Sequence, residues 1–290
     1  MMNIPFTKMH GLGNSYIYID VFSFDKLDEK DYSHLAQDVS SIYTGIGSDG
    51  LILIMPSEKA DVRMRIFNKD GSEGKNCGNG LRCVAKYAFE NNIVSKESFQ
   101  IETLAGVVQA TVHVQDNIVI KEVTVNMGKP RLTRAIIPMI GPESEEVINE
   151  KFEIGENHLN ITAVSMGNPH AVFFVDDIDQ APLYDIGAKV SLDPRFPEGV
   201  NAEFVEVVQP DEINFRVYER GSGVTQACGT GACAAAIASI LNGFSHRNKD
   251  ITVHLAGGDL IIKWDLDGQV WMTGAATTVA KGNYQWYPNR

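Results

Sequence analysis

The sequence predicts an α+β protein made of two pseudo-symmetric domains, each with antiparallel strands packed around a buried helix. Three observations carry this. The stretch Glu219–Leu241, ERGSGVTQACGTGACAAAIASIL, turns small and apolar on every side from Ala232 until the break at Asn242-Gly243. A helix apolar all round is a buried one. A second stretch, Cys77-Gly78-Asn79-Gly80, opens another helix over Leu81–Glu90. Around both lie short runs of alternating polar and apolar residues separated by turn residues, the pattern of antiparallel strands.

The two halves match in order. Arg65-Ile-Phe-Asn68 precedes Cys77 at the same distance as Arg216-Val-Tyr-Glu219 precedes Cys228, the cysteines being 151 residues apart. Gly13-Asn14 matches Gly167-Asn168, and Gly45-Ile46 matches Gly199-Val200, both at 154; Leu104-Ala-Gly106 matches Leu255-Ala-Gly257 at 151. Offsets that differ by a short insertion indicate two copies of one domain. Gly128-Lys129-Pro130 reads as the hand-over. The expected domains are residues 1–127 with 276–290, the last strand crossing back, and 128–275.

A length of 290 residues suits two domains with a core each. With 44% hydrophobic and 21% charged residues the composition is that of a globular protein. The net charge of −12, without a basic cluster, argues against nucleic acid as a partner. No stretch suits a secretory signal or a bilayer span, so the cytoplasm is the expected location and no membrane partner is expected. The cysteines at 77, 83, 228 and 233 fit neither zinc nor redox CxxC spacing, so no metal is expected. Cys83 and Cys233 read as packing residues.

Taken in order, Tyr16–Val21 alternates as a strand after the Gly-Leu-Gly-Asn turn. Leu27–Tyr43 reads as an amphipathic helix through Leu35, Val39 and Ile42. Gly45–Gly50 spells G-x-G-x-x-G, but a helix precedes it and the strand Leu51–Met55 follows, the reverse of a dinucleotide fingerprint. Strands are expected at Val62–Phe67, Phe99–Val114 and Asn117–Val125. Arg134–Glu150, rich in proline and acidic residues, reads as a mobile surface segment. The second copy has strands at Asn160–Ser165, Ala171–Val175 and Ile213–Tyr218, a short helix at Tyr184–Val190, and strands at Ile251–Trp264 and Val270–Val279. His170 directly follows the repeated Gly-Asn turn, which singles it out among seven histidines.

Each copy thus offers a cysteine, Cys77 or Cys228, beside the unpaired N–H groups of a helix start, where negative charge is favoured and a thiol pKa is expected to fall. Two such thiols suit inversion at one carbon: a thiolate removes a proton from one face while a thiol delivers one to the other. A carbon acid beside a carboxylate is far weaker than a thiol of pKa about 8.5. The developing charge therefore needs fixed donors. The N–H groups of Gly78, Asn79, Gly229 and Thr230 can supply them, each such donor being worth roughly 3–4 kcal/mol. Arg220 offers a two-donor fork for a carboxylate, and Glu219 and asparagine carbonyls can accept from an ammonium.

NKDGSEGKNCGNGLRC and ERGSGVTQACGTGAC, with HGLGNSYIYID, TGIGSDG and MGNPHAV, resemble the diaminopimelate epimerases over nearly the whole chain. The resemblance implies two domains, each a strand barrel or half-barrel around a central helix. It implies a cytoplasmic, often dimeric enzyme of lysine and cell-wall precursor synthesis that interconverts L,L- and meso-diaminopimelate without pyridoxal phosphate or another cofactor. Carried over by motif, Cys77 and Cys228 are the acid/base pair. The amino-acid substrate is held by Asn14, Asn68, Asn168, Asn201, Glu219 and Arg220 and by the backbone at Gly78, Asn79, Gly229 and Thr230. His170 and Glu219 tune the thiols. Gly50 stands where some members place a substrate-contacting glutamine, so no contact is carried there. Proline and hydroxyproline racemases are the nearest rival, but they tend to have histidine where this chain has Asn79. A thiol-redox or metal-binding protein is the rival of a different class.

Overall fold

The computed structural model describes residues 1–115 and 119–288. In chain order the first elements are β1 (Met2–Gly11), β2 (Asn14–Asp20), α1 (Tyr32–Ser40), β3 (Gly50–Met55), β4 (Val62–Asn68), β5 (Glu73–Gly74) and α2 (Gly78–Glu90). After them come β6 (Ser98–Thr103), β7 (Gly106–Gln115) and β8 (Val119–Gly128). Next are β9 (Glu150–Ile154), β10 (Asn157–Ser165), β11 (Pro169–Phe174), α3 (Ala188–Ser191), β12 (Asn201–Gln209), β13 (Glu212–Glu219) and β14 (Gly223–Val224). The chain ends with α4 (Gly229–Leu241), β15 (Asp250–Leu255), β16 (Gly258–Trp264), β17 (Val270–Ala275) and β18 (Thr277–Trp286). The expected strand start at Asn117 lies outside the described residues.

The chain divides into two compact units, Met1–Val125 with Gly274–Arg290, and Asn126–Thr273. In the first, β18 pairs with β1 and β1 with β2, both antiparallel; β2 then runs parallel to β3, β3 antiparallel to β4, β4 parallel to β6, and β6 antiparallel to β7. The second unit repeats the succession: β10 antiparallel to β11, β11 parallel to β12, β12 antiparallel to β13, β13 parallel to β15, and β15 antiparallel to β16. The fold is therefore the expected sheet-dominated α+β arrangement, with the strands mixed in direction. Among the described residues two parallel pairs in each unit replace an all-antiparallel order, because β2, β4, β11 and β13 each reach the next parallel strand through a helical crossover rather than a hairpin.

In each unit the strands pack around one helix. The α2 helix packs on β1, β3, β4 and β7, and α4 on β10, β11, β12, β13, β15 and β16. Of the eleven residues 229–239 that open α4, all but Thr230 are buried, as an all-apolar helix demands. Outside the sheets, α1 packs on β3 and β4 through Leu35, Ala36 and Val39.

Two expectations need correction. The helix read over Leu27–Tyr43 is confined to Tyr32–Ser40, and Ile42 is 74% exposed. The N–H groups of Ile46 and Gly47 both turn back to Val39 O, which closes the helix early. Arg134–Glu150 is not wholly a surface segment: Ile136, Ile140 and Ile148 are exposed, but Ile137, Met139 and Val147 join Phe152, Ile161 and Phe173 in the core of the second unit. Backbone bonds tie it down, Val147 O accepting from Ala163 N–H, and buried Arg134 pairs with Glu150. The acidic residues that made it read as surface, Glu143, Glu145 and Glu146, lie together between the anchors Met139 and Val147.

Candidate active site

Both cysteines take extended backbone and cap their helices from the preceding position. Cys77 has φ −152°, ψ 110°, and its Sγ accepts the N–H of Gly80 at 3.4 Å, as an N-cap side chain does. Cys228 has φ −122°, ψ 106°, and closes no such side-chain bond. Behind each cysteine lies a two-residue strand paired to the strand before it, which returns the chain to the helix start. Among the described residues no disulfide joins the four cysteines, and Cys83 and Cys233 are fully buried.

In the first unit, Gly13 takes a φ of 86° and Gly167 one of 98° in the second, a left-handed turn that glycine alone adopts at little cost. Asn14 leaves that turn with its Oδ1 3.5 Å from the Cys77 thiol and 3.3 Å from Asn79 Nδ2. Its own Nδ2 donates to Asp49 Oδ2 at 2.9 Å, and buried Arg82 fixes Asn79 through Oδ1 at 3.0 Å. The Tyr16 hydroxyl bonds with Asn14 and Cys77; burial, then Cys77 and Asp49, hold the phenol far above its usual range, with the Asn14 bond pulling against them. Asn68 ends β4 opposite Gly50, and its amide donates to Ser72 Oγ at 3.0 Å rather than to this cluster.

In the second unit every expected residue lies in one neighbourhood. His170 Nε2 is 3.0 Å from Asn168 Oδ1, and Asn168 Nδ2 donates to Thr230 Oγ1 at 3.3 Å. Thr230 Oγ1 stands 3.6 Å from Cys228 Sγ. Asn201 Oδ1 accepts the Arg220 N–H at 2.9 Å, while the exposed Arg220 guanidinium donates to Glu198 O at 2.7 Å. Gly78 and Gly229, with Asn79 and Thr230, form the first helical turns behind the cysteines.

The electrostatics correct one expectation. The Cys228 thiol is raised well above the ordinary range, first by burial, then by the Glu219 and Glu203 carboxyls. The Thr230 hydroxyl and the Gly231 N–H pull it down but do not win. Helix-start dipoles act on a group whose desolvation costs more, so Cys228 rests as a thiol. Burial likewise pushes His170 down to about 3, leaving a neutral imidazole.

Glu203 was not singled out in the sequence. It sits mid-β12 between Ala202 and Phe204, fully buried, with Oε1 2.6 Å from His170 Nδ1. A charged residue between apolar neighbours in a central strand is the signal that could have found it. Asp49, Tyr16 and Arg82 were also missed, each lying in a run that reads as turn, strand or helix surface.

The model of the family described as diaminopimelate epimerase matches residues 6–133 and 162–279. A protein of Bacillus velezensis named diaminopimelate epimerase is 63% identical over 284 residues, 98% of this chain and 99% of that protein. The chain belongs to the diaminopimelate epimerase family. All the residues above fall inside the spans matched by the diaminopimelate epimerase model. Among solved structures, a Bacillus anthracis phenazine biosynthesis protein of the PhzF family aligns with TM-score 0.71 at 18% identity, over 99% of this chain and 100% of that one. A hydroxyproline epimerase from Agrobacterium vitis aligns with TM-score 0.66 at 14% identity, over 98% and 91%. At such identities the likeness is one of fold.

Proposed function

We propose that this chain inverts one α-carbon of diaminopimelate, interconverting the L,L and meso forms, with Cys77 and Cys228 as the acid/base pair. What carries the proposal is 63% identity, over nearly the full length of both chains, to a protein of that name. The racemase rival is supported only by likeness of fold.

In this mechanism one cysteine, as thiolate, takes the α-proton while the other, as thiol, protonates the opposite face; the reverse direction exchanges the roles. The charge that develops on the substrate carboxylate is met by the N–H groups of Gly78, Asn79, Gly229 and Thr230. Arg220 binds a carboxylate through its remaining donors, and Glu219, Asn14, Asn68, Asn168 and Asn201 hold the ammonium and orient the chain. No added cofactor takes part. We also infer a cytoplasmic location and a homodimer, on the family resemblance. No helix of the described residues is long and apolar enough to cross a membrane.

The test is turnover of L,L-diaminopimelate by the purified chain with no cofactor added, beside L-proline and trans-4-hydroxy-L-proline. Epimerisation of the first alone, lost in both Cys77→Ala and Cys228→Ala, is the expected result. Turnover of a proline substrate instead, or activity surviving either change, contradicts the proposal.

A further inference from the structure

The buried carboxyl of Glu203 has no part in the mechanism above, yet it lies two hydrogen bonds behind Asn168, whose amide bonds Thr230 beside Cys228. The direction of that chain of bonds can be read from the groups whose identity is fixed by backbone. Asn201 Oδ1 accepts the Arg220 N–H at 2.9 Å, and Asn201 Nδ2 donates to Pro169 O at 3.2 Å, so its amide cannot be turned round. The same Nδ2, a donor, stands 3.4 Å from His170 Nδ1. An Nδ1–H would face that donor, so the arrangement favours Nδ1 as the unprotonated, accepting nitrogen of the ring, its one lone pair taken by the shorter bond. The proton in its 2.6 Å bond to Glu203 Oε1 then belongs to the carboxyl.

We propose that Glu203 is a positioning residue for Cys228: as a carboxylic acid it donates to His170 Nδ1, and the bonds His170–Asn168–Thr230 leave the Thr230 hydroxyl proton directed at Cys228 Sγ. Each link has a donor and an acceptor. Nε2–H donates to Asn168 Oδ1 at 3.0 Å, and Asn168 Nδ2 donates to Thr230 Oγ1 at 3.3 Å. A hydroxyl that already accepts has its own proton to give, and Cys228 Sγ lies 3.6 Å away. No proton travels along the chain; only its orientation is passed on.

The surroundings favour this direction over the reverse. Both Glu203 and His170 are fully buried. Glu203 Oε2 has no hydrogen-bond partner, a heavy cost for half of a carboxylate and a lighter one for the carbonyl oxygen of an acid. Burial, then the Glu219 charge, raises the Glu203 carboxyl well above its usual range; the N–H groups of Ala171 and Glu203 itself pull against this without bonding Oε2. The reversed chain would need an ionised Glu203 and would spend the Thr230 proton on Asn168. The forward chain gives a Cys228 thiolate a neutral donor and withholds one of the negative charges that oppose its formation.

This rests on the reading of Cys228 as one of the acid/base pair, and the test separates the two. In the full-length chain labelled with ¹⁵N-histidine, His170 is assigned by its loss in His170→Gln and its tautomer read at neutral pH. A proton on Nε2 alone is expected; a proton on Nδ1, or on both nitrogens, overturns the proposal whatever the activity. Kinetically, Glu203→Leu is expected to lower kcat about tenfold with KM held, the loss of one hydrogen bond's worth of transition-state orientation. Glu203→Gln, whose amide can donate as the acid does, is expected to recover most of that loss. An unchanged kcat in Glu203→Leu, or a Glu203→Gln as damaged as Glu203→Leu, refutes it. If instead Cys228→Ala keeps its activity while His170 carries its proton on Nε2, the fault lies with the function assigned to Cys228 and not with the orientation of the chain.

Discussion

Cys77 and Asn14, 63 residues apart in sequence, meet with Sγ 3.5 Å from Oδ1, whereas Cys228 finds its polar neighbour in Thr230 of its own helix, at 3.6 Å. The two copies of the domain thus present equivalent sulfurs with unlike partners. A carboxamide oxygen can only accept, so at Cys77 it receives the thiol proton while the Gly80 N–H donates to the sulfur; at Cys228 the hydroxyl can donate, so it can support a thiolate. Near-symmetry of fold leaves room for different proton affinities at the two thiols.

Glu219 is expected to govern the Cys228 thiol. Its carboxylate is, after burial, the largest influence raising that thiol. Removing a negative charge lowers the pKa of a neighbouring acid, so the thiolate should form at lower pH in Glu219→Gln. Alkylation rate against pH, measured in a Cys77→Ser background, should show its midpoint moved to lower pH. A midpoint that stays or rises contradicts the assignment.

Gly231→Ala should damage activity more than stability. A Cβ there would stand 3.0 Å from Phe215 Cζ, 3.1 Å from Glu203 Oε1 and 3.2 Å from Cys228 Sγ. The neighbours that must yield include the sulfur itself. Unfolding in urea should show a loss of about 1–3 kcal/mol, with kcat falling by at least about tenfold through misplacement of the thiol. Wild-type turnover in this variant would mean that the sulfur is not held where the packing puts it.

Arg220→Lys is expected to raise KM about tenfold, well beyond the effect of Arg→Lys at an outlying surface position such as Arg247. A lysine ammonium can replace the bond to Glu198 O or meet a carboxylate as a point charge, but cannot do both in a planar fork. Steady-state kinetics with unchanged KM and kcat would reduce Arg220 to a brace for its loop.

Ile137→Ala tests the segment that composition misread. As a fully buried member of the second unit's core, Ile137 should cost about 2–4 kcal/mol when truncated, read as a shift in the denaturant midpoint. A change under about 0.5 kcal/mol would restore the picture of a surface segment.

What the sequence disclosed and what it hid follow one physical division. The paired cysteines, their glycines and the Gly-Asn turns were legible because backbone geometry restricts which residues can stand there, so the same letters recur in both copies. The all-apolar α4 was legible because burial on every side leaves no polar face. Glu203 was not, because its effect depends on a side-chain bond to His170 on the neighbouring strand β11, two residues before its register partner Val172, and nothing in residues 201–209 records that neighbour. Nor was the raised Cys228 thiol: the helix start is local and visible, while the burial that outweighs it comes from strands distant in sequence. Ile42 and the anchors at Ile137 and Val147 failed for the same reason, since amphipathic spacing and acidic composition describe a segment before its neighbours are known.

The central claim is that two thiols, one from each repeat, serve opposite faces of one carbon. The direct measurement is solvent isotope entry at early conversion. Starting from L,L-diaminopimelate in D₂O, the thiol on the product side carries a solvent deuteron, while the base on the substrate side has just taken protium. The account predicts product that is deuterated at the inverted carbon and recovered L,L material that stays nearly deuterium-free, with the mirror result from the meso isomer. A single group shuttling between faces would carry the original protium across. Early product retaining substantial protium at that carbon would contradict the two-thiol assignment.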